Sequence, residues 1–130
     1  MTVWSAAAVA AALGTPVSGA GFSAISTDTR TLPPGALFVA LTGERFDGHD
    51  HLAAAVRAGA GAAVVRRGTA PVSGLVLIPV DDPLAAYGQL ARARRRQVAG
   101  PVIAITGSNG KTSTKEFLAA VLATTFRVHA

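Results

Sequence analysis

The stretch IAITGSNGKTSTKEF, residues 103–117, decides how the chain is read. An apolar run stops at Gly107-Ser108-Asn109-Gly110, and Lys111-Thr112 follows at once. Glycines adopt backbone angles that turn successive N–H groups inward, which makes a concave anion nest. A helix predicted from about Lys111 to Ala123 would aim its unpaired N–H groups and positive dipole end at the same point. Lys111 adds a charge that can reach nucleotide β- and γ-phosphates, and the Thr112 hydroxyl can ligate the Mg²⁺ that nucleotides carry. Gly107, Ser108, Asn109, Gly110, Lys111, Thr112 and Ser113 therefore form a candidate nucleotide-binding loop. One departure stands out. The general phosphate-loop pattern is G-x-x-x-x-G-K-[ST], and the position five before Gly110 is Ile105.

Working outward, PVIAIT (residues 101–106) reads as a strand, and FRVHA at the end as the possible start of another. Ahead of them, DDPLAAYGQLARARRRQVAG reads as a helix, with Asp81 or Asp82 as its cap, Pro83 in its first turn and arginines in its last turns. ALFVAL (residues 36–41) reads as the clearest buried strand, AAVVRR and GLVLIPV as two further strands, and HLAAAVRAGA as a helix stopped by Gly59 and Gly61. The N-terminal SAAAVAAALG reads as a helix with Ser5 as N-cap and an end near Gly14. Helices alternating with strands predict an α/β fold with a mixed or largely parallel sheet. A composition shift at residues 97–101 places a domain boundary, giving expected domains of 1–98 and 99–130. The second has too little chain to bury its own apolar surface.

Composition narrows the function classes. Half of the residues are hydrophobic and 15% are charged, which is globular material. No cysteine is present, which excludes a disulfide framework and thiolate metal sites and fits a reducing compartment. No Lys or Arg precedes the apolar opening, so it reads as a helix and not a secretory signal, and no apolar run approaches bilayer-spanning length. The net charge of +5 is uneven: residues 1–85 hold six acids and five arginines, whereas residues 86–130 hold seven bases and one acid, Glu116. RARRRQ (residues 92–97) lacks interleaved aromatics and reads as a solvated helix face, with neither nucleic acid nor membrane as the expected partner. His49 and His51 flanking Asp50 lack a distant third ligand, so a brace for the loop is the expected role of His49.

TGSNGKTSTKE resembles the loop of the Mur ligases, the ATP-dependent amide ligases of peptidoglycan precursor synthesis, whose shorter glycine spacing it shares. A separate segment, STDTRTLPPGALFVALTGERFDGHDHLAAAVRAGAGAAVV (residues 26–65), resembles the uridine-nucleotide-binding domain of the same family. Its wording is nearest the member that joins D-Ala-D-Ala to UDP-MurNAc-tripeptide. The sister ligase that adds the third peptide residue is the alternative within the family, and a stand-alone UDP-sugar-binding module or an unrelated phosphate-loop kinase are alternatives outside the reaction.

The resemblance implies a fold: a UDP-substrate domain followed by the first strand, loop and helix of a central ATPase domain. It implies a cytoplasmic, monomeric ligase using ATP and Mg²⁺, with UDP-MurNAc-tripeptide and D-Ala-D-Ala as substrates and an acyl phosphate between them. On that pattern Lys111 is the catalytic group that neutralises charge at the γ-phosphate, and Thr112 holds the metal. Thr27, Asp28, Thr29 and Arg30, together with Glu44, Arg45 and Phe46, would bind the uridine nucleotide. Arg30 would face phosphate or brace its loop through Asp28, and Phe46 would pack on the uracil. The family enzyme needs further ATPase and C-terminal parts, so these residues are expected to be an N-terminal fragment that does not ligate alone.

Overall fold

The computed structural model describes residues 3–130, which divide into two compact units, one ending at Gln97 and one running from Val98 to Ala130.

The first unit is built on four parallel strands in sequential order: β1 (Ile25–Ser26), β2 (Leu37–Val39), β3 (Ala62–Arg66) and β4 (Leu77–Val80). The register sets Ile25 opposite Leu37, Phe38 opposite Ala63 and Val64 opposite Ile78. The sheet is wholly parallel, which sharpens the mixed-or-parallel expectation. Successive strand side chains point to opposite faces, so β2 and β3 must be apolar throughout if both faces are covered. They are: LFV of β2 and AAVV of β3 are buried without interruption. One face carries Leu37, Val39, Ala62, Val64 and Ile78, packed with Trp4, Val9, Phe22, Ala86 and Leu90. The other carries Ala36, Phe38, Ala40, Ala63 and Val65, packed with Leu32, Leu52, Ala55 and Leu75.

Three helices supply those covers. In α1 (Ala6–Leu13) the Ser5 hydroxyl accepts from the Ala8 N–H at 3.1 Å, and Gly14 ends the helix with φ 64°. Helix α3 (Pro83–Gln97) shares the face of α1 through Ala86 and Leu90; the Asp82 carboxylate accepts from the N–H groups of Leu84 and Ala85 at 2.9 and 3.2 Å, which settles Asp82 as its cap. Helix α2 (Leu52–Arg57) buries Leu52 and Ala55 against the opposite face and follows a 3₁₀ turn over Gly48–His51.

In the second unit, α4 (Lys111–Ala123) forms as predicted. The strands expected at PVIAIT and FRVHA do not: residues 101–106 and 127–130 are extended or irregular without ladder partners. A strand exists only by hydrogen bonding to a neighbour, and among the described residues this unit contains none. Val102, Ile103, Phe117, Val121 and Phe126 are consequently exposed, and no residue of α4 is buried.

Candidate functional site

The parallel sheet fixes where a ligand can sit. In open α/β sheets the strand C-termini open onto loops that line a crevice. Here the segment leaving β1, Thr27–Arg30, and the long loop leaving β2, residues 40–51, come together at that edge. They enclose a cavity of about 500 Å³ lined by Thr27, Asp28, Thr29, Arg30, Phe38, Phe46 and His51. Five of the seven residues expected to bind the nucleotide are thus brought to one cavity. Glu44 and Arg45 are exposed on the same loop without lining it.

Each wall has a local cause. Asp28 bends the first segment: its Oδ1 accepts from the Arg30 backbone N–H at 2.9 Å, an Asx turn. The same carboxylate receives the Arg30 guanidinium in a fork, Nε to Oδ1 at 2.9 Å and Nη2 to Oδ2 at 2.7 Å. This hydrogen-bonded guanidinium, aided by the backbone N–H, lowers the Asp28 carboxyl to a pKa of about 2. Arg30 therefore braces its loop, as one sequence reading expected, while 86% of its side chain stays exposed and open to an anion at the rim.

The opposite wall hangs on Asp47 and His49. Oδ1 of Asp47 accepts from the His49 backbone N–H at 3.0 Å and lies 2.6 Å from His49 Nδ1. His49 Nε2 accepts from the backbone N–H of Arg66 at 2.9 Å, so the ring proton belongs on Nδ1, directed at Asp47. The Thr42 hydroxyl donates to Asp47 and accepts from Arg66 Nη2, at 3.2 and 3.1 Å. One imidazole thus ties the loop after β2 to the end of β3. His49 is the expected loop brace, and among the described residues no cluster of three His, Cys, Asp or Glu could hold a metal. The backbone N–H of His49, with its side chain next, lowers Asp47 to about 2.

A pH dependence follows. The folded pKa values of Asp28 and Asp47 lie below the ordinary 3.8, so their contribution to stability is complete above pH about 4 and is lost as pH falls from there through about 2. Thermal unfolding followed by circular dichroism should show the melting temperature falling across that window. Asp47→Asn should flatten the fall more than Asp28→Asn, since the Asp28–Arg30 pair is open to water and such pairs contribute little.

His51 went unassigned in the sequence. Its ring stacks on Phe46 with centroids 5.3 Å apart and planes 16° from parallel. The available signal was local: an aromatic on each side of a short polar turn, with the second at the start of a helix.

The glycine loop belongs to the second unit. Gly107 and Gly110 take φ of 151° and 76°, and Gly110 is the N-cap residue of α4 with no side chain capping the helix. The first-turn N–H groups of α4 thus lack a capping acceptor, as an anion site requires. Lys111 Nζ folds back to donate to the Gly107 carbonyl oxygen, and Thr112 stands exposed in the first turn. Lys115 pairs with Glu116 at 3.1 Å. The Thr112 hydroxyl could enter a Mg²⁺ shell whose other ligands come mainly from nucleotide phosphates.

Comparison with known proteins identifies the first unit. The profile described as Mur ligase family, catalytic domain, matches residues 21–95. The chain belongs to the Mur ligase family. The matched residues of this Mur ligase chain contain the whole cavity between β1 and β2. The chain is 52% identical over 100 residues to the UDP-N-acetylmuramoyl-tripeptide–D-alanyl-D-alanine ligase of Escherichia coli (strain K12), covering 76% of this chain and 22% of that protein. The namesake from Bacillus subtilis (strain 168) is 46% identical over 106 residues, covering 81% and 23%. A crystal structure of MurF from Acinetobacter baumannii superposes with a TM-score of 0.81 at 37% identity, covering 94% of this chain and 28% of that one. MurF from Thermotoga maritima in complex with ADP gives 0.66 at 35% identity, covering 78% and 23%. The chain thus spans under a quarter of the curated relatives it matches.

Proposed function

We propose that this chain supplies the uridine-nucleotide site and the phosphate loop of a cytoplasmic, monomeric ligase that joins D-Ala-D-Ala to UDP-MurNAc-tripeptide, using ATP and Mg²⁺. The cavity carries the reading. An aromatic wall (Phe46), two hydroxyl side chains (Thr27, Thr29) and an exposed guanidinium (Arg30) complement, in turn, a base, a ribose and a phosphate. The names of the relatives support the acceptor and the donor.

The chemistry asks for a phosphorylated carboxylate. A carboxylate is a poor electrophile until one oxygen becomes a leaving group; transfer of the γ-phosphoryl group gives an acyl phosphate, and attack by the amine then forms the amide and releases phosphate. The residues of this chain bind and orient: the first unit holds the nucleotide end of the peptide substrate, while residues Gly107–Ser113 hold the polyphosphate through N–H groups and Lys111. Among the described residues the buried core clusters lie in the first unit, so binding of the UDP substrate without ligation is the behaviour expected of the chain alone.

Isothermal titration of the 130-residue chain tests this. UDP-MurNAc-tripeptide should bind, and Lys111→Ala should leave that binding intact. The same substitution should weaken any Mg-ATP binding by about 10-fold or more, the order expected for a lost charge-assisted hydrogen bond. Stabilisation by UDP with no response to ATP would favour a UDP-sugar-binding module. Amide formation by the purified chain would refute the binding-only expectation.

A further inference from the structure

We propose that His51 is a positioning residue for the nucleobase: it holds the Phe46 ring flat as the cavity's stacking wall, a role that rests on the uridine-nucleotide reading of the cavity. Phe46 sits on an exposed loop, and 48% of its surface is open. Its backbone is fixed, since its carbonyl accepts from the Gly43 N–H at 2.7 Å. Among the described residues the one ring contact it makes is with His51, nearly parallel and offset, the arrangement aromatic pairs favour.

His51 is anchored through the core, Phe46 through a loop hydrogen bond. It ends the 3₁₀ turn and directly precedes Leu52, which is buried in the core beside Ala55. Two residues upstream, His49 bolts the same turn to β3. The core thus fixes the backbone at His51, and the exposed His51 ring meets Phe46 by contact. A loop aromatic that is already ordered loses less side-chain freedom when a planar ligand stacks on it. An unbranched amide or alanine at position 51 leaves Phe46 free to rotate, so a planar base loses its ordered partner while a ligand without a base does not.

The test uses the full chain, with UDP and inorganic pyrophosphate as probes. Titration calorimetry should show His51→Ala weakening UDP binding by about 5-fold, the scale of one aromatic pair, with His51→Phe within about 2-fold of wild type. The upfield ring-current shifts of the uracil H5 and H6 protons should shrink in His51→Ala and persist in His51→Phe. Binding of pyrophosphate, read by ³¹P line broadening with Lys111→Ala added to each chain to weaken the glycine loop, should be the same in all three. Should His51→Ala fail to fold, His51→Gln takes its place with the same expectation. Unchanged UDP affinity and ring-current shifts in the ring-less variant would overturn the proposal. So would an equal loss of UDP and pyrophosphate binding, which would mark His51 as structural only. A wild-type chain that binds no UDP would instead remove the nucleotide reading of the cavity, and this role with it.

Discussion

Phe38→Ala is expected to lower the unfolding free energy of the first unit by about 3–5 kcal/mol, the range for truncating a buried aromatic residue. Phe38 is fully buried at the centre of β2. Its cross-strand partner is Ala63, and it shares its face with Ala36 and Ala40. Such small neighbours leave the ring to fill the layer under α2, and they cannot close the void it would leave. A domain of this size holds about 5–15 kcal/mol in total, so the loss is a large fraction of its stability. Urea unfolding followed by Trp4 fluorescence is the measurement. Trp4 is the single tryptophan and packs on the opposite face of the sheet, so it reports cooperative loss of the unit and not a local change. A midpoint within error of wild type would contradict this account of the core. Because Phe38 also lines the cavity, UDP binding should fall with stability.

Gly48→Ala should cost about 2–3 kcal/mol through overpacking. A Cβ at position 48 would lie 2.8 Å from the Cα of Ala40 and 2.9 Å from both N and O of Leu41. All three are backbone atoms of the chain leaving β2, so no side-chain rotation can relieve the clash. Gly48 also donates its N–H to the Leu41 carbonyl at 2.7 Å, which pins the start of the 3₁₀ turn. The displaced turn carries His49 and His51, so the loss should extend to the cavity wall. Thermal melts should show a lowered transition, with UDP binding reduced beyond what the remaining folded fraction explains. An unchanged melt would mean the turn does not approach β2 as described.

Much of the fold was readable because its rules are local or periodic. Apolar runs at ALFVAL and AAVVRR announced strands, and the sheet buries them on both faces. Ser5, Asp82 and Gly14 act as the helix punctuation that their residue types suggest. The strand at residues 101–106 misled because an apolar β-prone run states only a preference. Its ladder must come from another strand, and the second unit has none among its described residues. For the site, Thr27–Arg30 and Phe46 stood out through their resemblance to a family segment, whereas the exclusion of Glu44 and Arg45 from the cavity wall depends on how the loop turns at Gly43 and Phe46. His49 was legible as a brace; that its other nitrogen reaches the Arg66 backbone, 17 residues away, is a tertiary fact. The pairing of His51 with Phe46 likewise needs the 3₁₀ turn, which no helical or strand periodicity encodes.

The central claim is that the crevice at the C-terminal ends of β1 and β2 receives a uridine nucleotide. The most direct measurement is a crystal structure of the chain grown with UDP-MurNAc-tripeptide. The account predicts the uracil against Phe46, the ribose beside Thr27 and Thr29, and the diphosphate reaching Arg30. A nucleotide bound instead in the smaller cavity of about 340 Å³ beside Arg67 and Asp81, or a crevice left empty at saturating ligand, would contradict it.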